Sequence, residues 1–165
     1  WKALADLIHE FTDFKEAFRL QLAGVVSSDV LESIYFYGLR PYTNLLGYIS
    51  HEEALQYQKR SQVLLLVEIN TEETQGIIPG KVFEYMAAKR PILGVGPENW
   101  EVGRLITGSN TGQTYDYEQY EALKEVLLQW FMDYKMGKLG LSDAKVEPYH
   151  RRELTRKLAE YLTWE

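Results

Sequence analysis

Apolar residues at Leu4, Leu7, Ile8, Phe11 and Phe14 recur at the spacing of one helix face, predicting a helix over residues 1–18. The period then shortens. In "RLQLAGVVSSD", residues 19–29, Leu20, Leu22, Val25 and Val26 predict a short strand, and the serines and aspartate after it offer helix caps. Residues 30–37 read as a helix ending at Gly38, and "TNLLGYIS", residues 43–50, as a second strand. Ser50 followed by Glu53 is a capping box for a helix reaching Arg60. "VLLLV", residues 63–67, is continuously apolar, as strands covered on both faces are. A polar-then-apolar loop over 68–78 leads to a helix over 79–89 and a buried strand in "PILGVG", 91–96. The pattern ends with a helix over 100–106, a short strand within 109–117, a helix over 117–134, a loop, and a helix over 149–164.

Helix and strand alternate throughout, which predicts one α/β domain over residues 1–165 with a mostly parallel sheet and right-handed crossovers. Ligands of such sheets bind beyond the carboxyl ends of the strands, here the loops after Val26, Gly47, Val67 and Val95.

Composition narrows the functions available. A net charge of -6 argues against a nucleic-acid partner, which usually requires a basic face. The absence of cysteine excludes disulfides and thiolate metal sites and fits a cytoplasmic location. His9, His51 and His150 lack the spacing of a metal site, so no metal is expected. No serine lies in a nucleophile triad pattern. No apolar run approaches the roughly 20 residues that span a bilayer. The basic run 150–157 suits either anionic lipid at a membrane surface or plain solvent. The chain opens on an amphipathic pattern without an initiator methionine and reads as part of something longer.

Lys81 is the residue that asks a question. It stands in the first turn of its helix, where the backbone is already partly positive and acidic groups are favoured. Pro79 presets the helical φ, and Gly80 lets a ligand approach the backbone closely. A phosphate docked there would meet N–H donors, the helix dipole and an ammonium together. Alternatively, Lys81 pairs on the surface with Glu84, three residues on. Glu84 shares that face; in a cleft its carboxylate would accept hydrogen bonds from two sugar hydroxyls.

"PGKVFEYMAAKRPILGVG", residues 79–96, resembles the donor-site helix and following strand of the group 1 retaining glycosyltransferases, which have the GT-B fold. "LLGYISHEEALQYQKRSQVLLL", 45–66, is similar to the segment just upstream in that family, and "NTGQTYDYEQYEAL", 110–123, to its terminal strand and following helix. The likeness runs over about residues 18–165. It implies a Rossmann-like domain that binds a nucleotide-diphosphate sugar, one half of a hexosyltransferase of polysaccharide biosynthesis acting on a polysaccharide or glycolipid acceptor. It implies that Glu84 holds the ribose hydroxyls, that the backbone of Tyr48 and Ile49 lies against the base, and that the loop from Thr74 to Gly80, with Lys81, lies near the sugar and diphosphate. His51 falls near the base or diphosphate by the same likeness, or is an exposed first helical residue. It implies no cofactor beyond the donor.

The chain departs from the family at two places. Gly76 stands where many members carry a second glutamate, which contacts the donor sugar; Glu72, Glu73 or backbone groups are the available substitutes. The family's first strand, central in the sheet, and its diphosphate-binding basic pair would lie before Trp1. The gap would be closed by direct pairing of the flanking strands or by a partner chain, such as a second copy, and this segment alone is expected to be inactive. Two other functions fit the same residues. One is a sugar-nucleotide epimerase, which should carry further His and Glu in the cleft. The other is a non-catalytic sugar-nucleotide-binding or interaction module, favoured by the glycine at position 76.

Overall fold

The structure is a computed structural model that describes residues 1–141 and 143–162. Its elements follow the alternation of the sequence: α1 (Lys2–Glu10), α2 (Thr12–Ala17), β1 (Leu20–Ala23), α3 (Ser28–Phe36), β2 (Thr43–Gly47), α4 (His51–Arg60), β3 (Leu64–Val67), α5 (Lys81–Ala88), β4 (Ile92–Val95), α6 (Glu101–Gly108), β5 (Gly112–Tyr115), α7 (Tyr120–Lys135) and α8 (Arg151–Leu162). Every strand pairing is parallel. The predicted α/β architecture with parallel sheets is therefore what the chain adopts.

The chain forms two compact units. The first comprises residues 1–57 and 118–139, the second residues 58–117 and 140–165. Each has its own sheet, β1-β2 in the first and β3-β4-β5 in the second.

In the first unit, Leu20, Ile34 and Leu39 pack into one apolar cluster, and Leu7, Phe14 and Phe131 into another. The expected single helix over residues 1–18 is broken. Phe11 is extended, at φ -126° and ψ 107°, and separates α1 from α2. Past the break, Phe14 meets the Phe131 ring edge-on at 5.1 Å between centroids. Burying a phenylalanine is worth about 1.5–3 kcal/mol. The first predicted strand is also shorter than expected, because Gly24 turns out of the extended region at φ +95°.

In the second unit, α5 and α6 bury Val82, Met86, Val102 and Ile106 against Leu66 and Ile92 of the sheet. Gly94 and Gly96 make room for the Trp100 indole: a Cβ on Gly96 would lie 2.6 Å from its ring. The final helix begins later than the sequence suggests, at Arg151, and its expected end beyond 162 lies outside the described residues.

Candidate functional site

In the first unit, two strand ends are tied together. Gly24, just after β1, donates its N–H to the Gly47 carbonyl at 2.7 Å. Gly47, at φ +65°, then turns the chain out of β2 through a conformation that favours glycine. Tyr48 follows and is 92% exposed, whereas Ile49 is half-buried. Val25, which the pattern had placed inside the strand, is 96% exposed on the neighbouring loop. The expected capping box is present in full. The Ser50 N–H and hydroxyl both donate to Glu53 Oε2, at 2.9 and 2.8 Å, and the Glu53 N–H donates to Ser50 Oγ at 3.2 Å. The Ser50 N–H, and then its hydroxyl, hold the Glu53 carboxyl below the usual glutamate range. His51 is the first residue of α4 and is exposed.

The second unit carries Gly76, Gly80, Lys81 and Glu84. The loop after β3 is fastened at several points. Thr74 Oγ1 donates to the carbonyls of Ile69 and Thr71 at 2.6 and 2.9 Å, and the Glu101 N–H donates to the Gln75 carbonyl at 2.8 Å. Gly76 and Gly80 follow on this anchored loop. A Cβ at either would meet nothing within 4 Å, so packing does not demand glycine there. Glu72 and Glu73, the expected substitutes for a second glutamate, form a short 3-10 turn and are exposed.

Helix α5 starts at Lys81, two residues later than Pro79, because its first turn closes on itself. The Val82 N–H donates to the Pro79 carbonyl and the Phe83 N–H to the Gly80 carbonyl, at 3.1 and 3.2 Å. That leaves the N–H groups of Gly80 and Lys81 without a backbone partner among the described residues. Lys81 is exposed and makes no ion pair with Glu84 among those residues. Instead, half-buried Glu84 accepts a hydrogen bond at Oε2 from Gln58 Nε2, at 3.2 Å. A carboxylate only accepts, so this bond fixes which way the Gln58 amide points. Its Oε1 is then a buried acceptor with no partner among the described residues. Tyr85, beside Glu84, has its phenol pushed upward by burial and secondarily by that carboxylate.

Gln58 was not foreseen. Its partner lies 26 residues away, and no local spacing announces the contact. The sequence residues thus divide: Tyr48, Ile49 and His51 stand in the first unit, and Gly76, Gly80, Lys81 and Glu84 in the second. A hollow of about 330 Å³ in the first unit contains none of them. Its Lys135 pairs with Asp13. Among the described residues, no group of three or more His, Asp or Glu could hold a metal ion.

No protein-family model matches the chain, and no curated protein does. Among solved structures, the chain is similar to the crystal structure of WaaG, a glycosyltransferase involved in lipopolysaccharide biosynthesis, at TM-score 0.67 and 15% identity. The match covers 99% of this chain but 43% of that one, so the chain spans less than half the length of its structural neighbour. Parallel strands flanked by helices, together with this likeness, give the chain a Rossmann-like α/β fold of the GT-B kind.

Proposed function

We propose that the chain is the donor-binding part of a group 1 retaining glycosyltransferase, taking a sugar from a nucleotide-diphosphate donor to a polysaccharide or glycolipid acceptor. The observation that carries this reading is the Glu84–Gln58 pair. Glu84 keeps Oε1 beyond its bond to Gln58, and Gln58 keeps a buried Oε1 without a donor. Two acceptor oxygens suit two neighbouring hydroxyl donors, as on a ribose. Three residues before Glu84, the Lys81 ammonium and the unpartnered N–H groups of Gly80 and Lys81 stand at the amino end of α5. These groups suit the oxygens of a diphosphate. The open space before Gly76 and Gly80 leaves the backbone accessible to them.

In this reading, the bond from the sugar's anomeric carbon to the leaving phosphate oxygen breaks as negative charge grows on the diphosphate, an acceptor hydroxyl oxygen bonds to that carbon, and the hydroxyl's proton passes to the departing diphosphate. Fixed donors and a cation aimed at the leaving phosphate oxygen stabilise the charge more in the transition state than in the ground state. The chain's residues hold the ribose and the diphosphate; no proton transfer is assigned to them. Acceptor binding would belong to further parts of the enzyme.

A non-catalytic nucleotide-sugar-binding module is the second reading, favoured by Gly76, which offers no side chain to the sugar. Calorimetric titration with UDP-, GDP- and ADP-sugars tests what the two readings share. One base class should bind saturably, and Glu84→Ala should weaken that binding at least tenfold, as losing hydrogen bonds to a charged group costs about 1.5–3 kcal/mol. Absence of binding to all three, or unchanged affinity in Glu84→Ala, would contradict them both. Product analysis with a glycolipid acceptor, using the longer polypeptide, then separates transferase from binding module.

A further inference from the structure

The donor reading sets the order in which the parts of a ligand meet the second unit. Glu84 is offered to the ribose. Gly80, four residues earlier and about 6 Å nearer the amino end of α5, offers its N–H to the diphosphate, together with that of Lys81. The sugar hangs on the far side of the diphosphate from the ribose. It therefore falls on the segment before the helix, residues 75–78. There Gln75 is half-buried and Gly76 bears no side chain, so the exposed side chains are Ile77 and Ile78, at 49% and 43%.

These isoleucines sit on a fastened backbone. The Thr74 hydroxyl donates to the Ile69 carbonyl at 2.6 Å, and the Thr74 carbonyl accepts from the Ile77 N–H at 3.1 Å. Thr74 thus ties Ile69, itself 67% exposed, to the segment that carries Ile77 and Ile78. The loop is held from outside as well, because the Glu68 carbonyl accepts from the Tyr117 hydroxyl at 2.8 Å. Three isoleucines are presented to solvent on one tied loop, and a cluster of that kind marks a binding surface. Acidic side chains do not offset its apolar character. Glu73 is committed to its own turn: its own N–H, and then the Thr71 hydroxyl, hold its carboxyl below the usual glutamate range. A sugar hydroxyl set against isoleucine loses water and gains no partner, whereas a methyl group set there gains burial.

We propose that this chain selects a donor whose sugar carries a methyl group, as a 6-deoxy or an N-acetyl sugar does, and that Ile77 and Ile78 receive that methyl. The inference rests on the donor reading and adds the class of sugar to it. A second copy of the chain fits the isoleucines less well. Three side chains fall far short of the roughly 800 Å² per partner in a stable interface. A methyl group needs only a few such contacts, and the isoleucines directly precede the groups offered to the diphosphate.

Calorimetric titration of the 165-residue chain tests it. The probes are UDP, UDP-glucose, UDP-6-deoxyglucose and UDP-N-acetylglucosamine, the ADP counterparts of that set, and GDP, GDP-mannose and GDP-6-deoxymannose. In the series that binds, a methyl-bearing donor should bind at least about tenfold more tightly than its hexose parent, the low end of what one such group confers in an apolar pocket. The 6-deoxy and N-acetyl arms tell which methyl is received. With Ile77→Ser and Ile78→Ser together, the ratio should fall to near one. Gly76→Glu, where a Cβ meets nothing within 4 Å, should lower the ratio too, by supplying an acceptor for a hydroxyl. If a nucleoside diphosphate binds but its hexose conjugate matches or exceeds every methyl-bearing one, this inference falls and the donor reading stands. If no nucleotide binds, both fall. A methyl preference untouched by the double variant would also overturn the inference. So would concentration-dependent dimers that the double variant abolishes, since the isoleucines would then belong to a second copy.

Discussion

Lys81 and Glu84 stand three residues apart on α5, the arrangement of a helical ion pair, yet the carboxylate takes its hydrogen bond from Gln58 instead. An exposed pair of that kind is worth a few tenths of a kcal/mol, too little to hold two long side chains against other partners. Glu84 was singled out in the sequence because its neighbours form a recognisable motif. Its hydrogen bond to Gln58 was not foreseen, because that contact spans 26 residues and no periodicity encodes it. Gln58→Ala should weaken nucleotide binding roughly five- to tenfold while leaving the fold intact, with calorimetry as the measure; a neutral hydrogen bond is worth about 1 kcal/mol. Gly94 in β4 and Gly96 just after it were legible only as glycines. Gly96 exists for Trp100, and Gly96→Ala, with its Cβ 2.6 Å from the indole, should destabilise the second unit by about 1–3 kcal/mol in urea denaturation. Gly112→Ala should do worse. Its Cβ would lie 1.9 Å from the Ile92 carbonyl oxygen, which belongs to rigid strand backbone and cannot give way as a side chain can.

The elements that sequence predicts best are those whose cause is local. The α4 cap is fixed by residues 50–53, and each of its hydrogen bonds is in place. Ser50→Ala should cost about 1 kcal/mol of stability. Because Glu53 titrates below its ordinary value in the folded chain, its contribution is fully present above the unfolded glutamate value. It is lost as pH falls through the depressed folded one. The protection factor of the Ser50 amide, its exchange rate set against the intrinsic rate at each pH, should fall over that acidic window, and Glu53→Gln should blunt the change; a loss of protection on the alkaline side instead would contradict the assignment. Elements shaped by distant contacts were read less well. The break at Phe11 is one: past it Phe14 packs against Phe131, a contact that nothing in residues 1–18 encodes. Helix α5 was placed correctly because Val82 and Met86 recur at helical spacing and both are buried. Its start was placed two residues early, because the closed turn over Pro79 and Gly80 competes with helix there.

At the scale of the whole molecule, the alternation of helices and strands was enough to give a parallel α/β fold, since it needs only the order of elements. The division into two units, each with its own sheet, was not legible, because strand pairing is non-local and a run such as residues 63–67 names no neighbour. The most direct test of the candidate site therefore reads Glu84 through the ligand. The central claim is that the Glu84 carboxylate receives ribose hydroxyls. The deciding measurement is the affinity of the chain and of its Glu84→Ala variant for the preferred nucleoside diphosphate and for its 2′-deoxy counterpart. The chain should bind the ribonucleotide at least about tenfold more tightly, one hydroxyl bond to a charged acceptor, and Glu84→Ala should erase the difference. Equal affinity for both nucleotides in the unaltered chain, or a preference that survives Glu84→Ala undiminished, would contradict the claim.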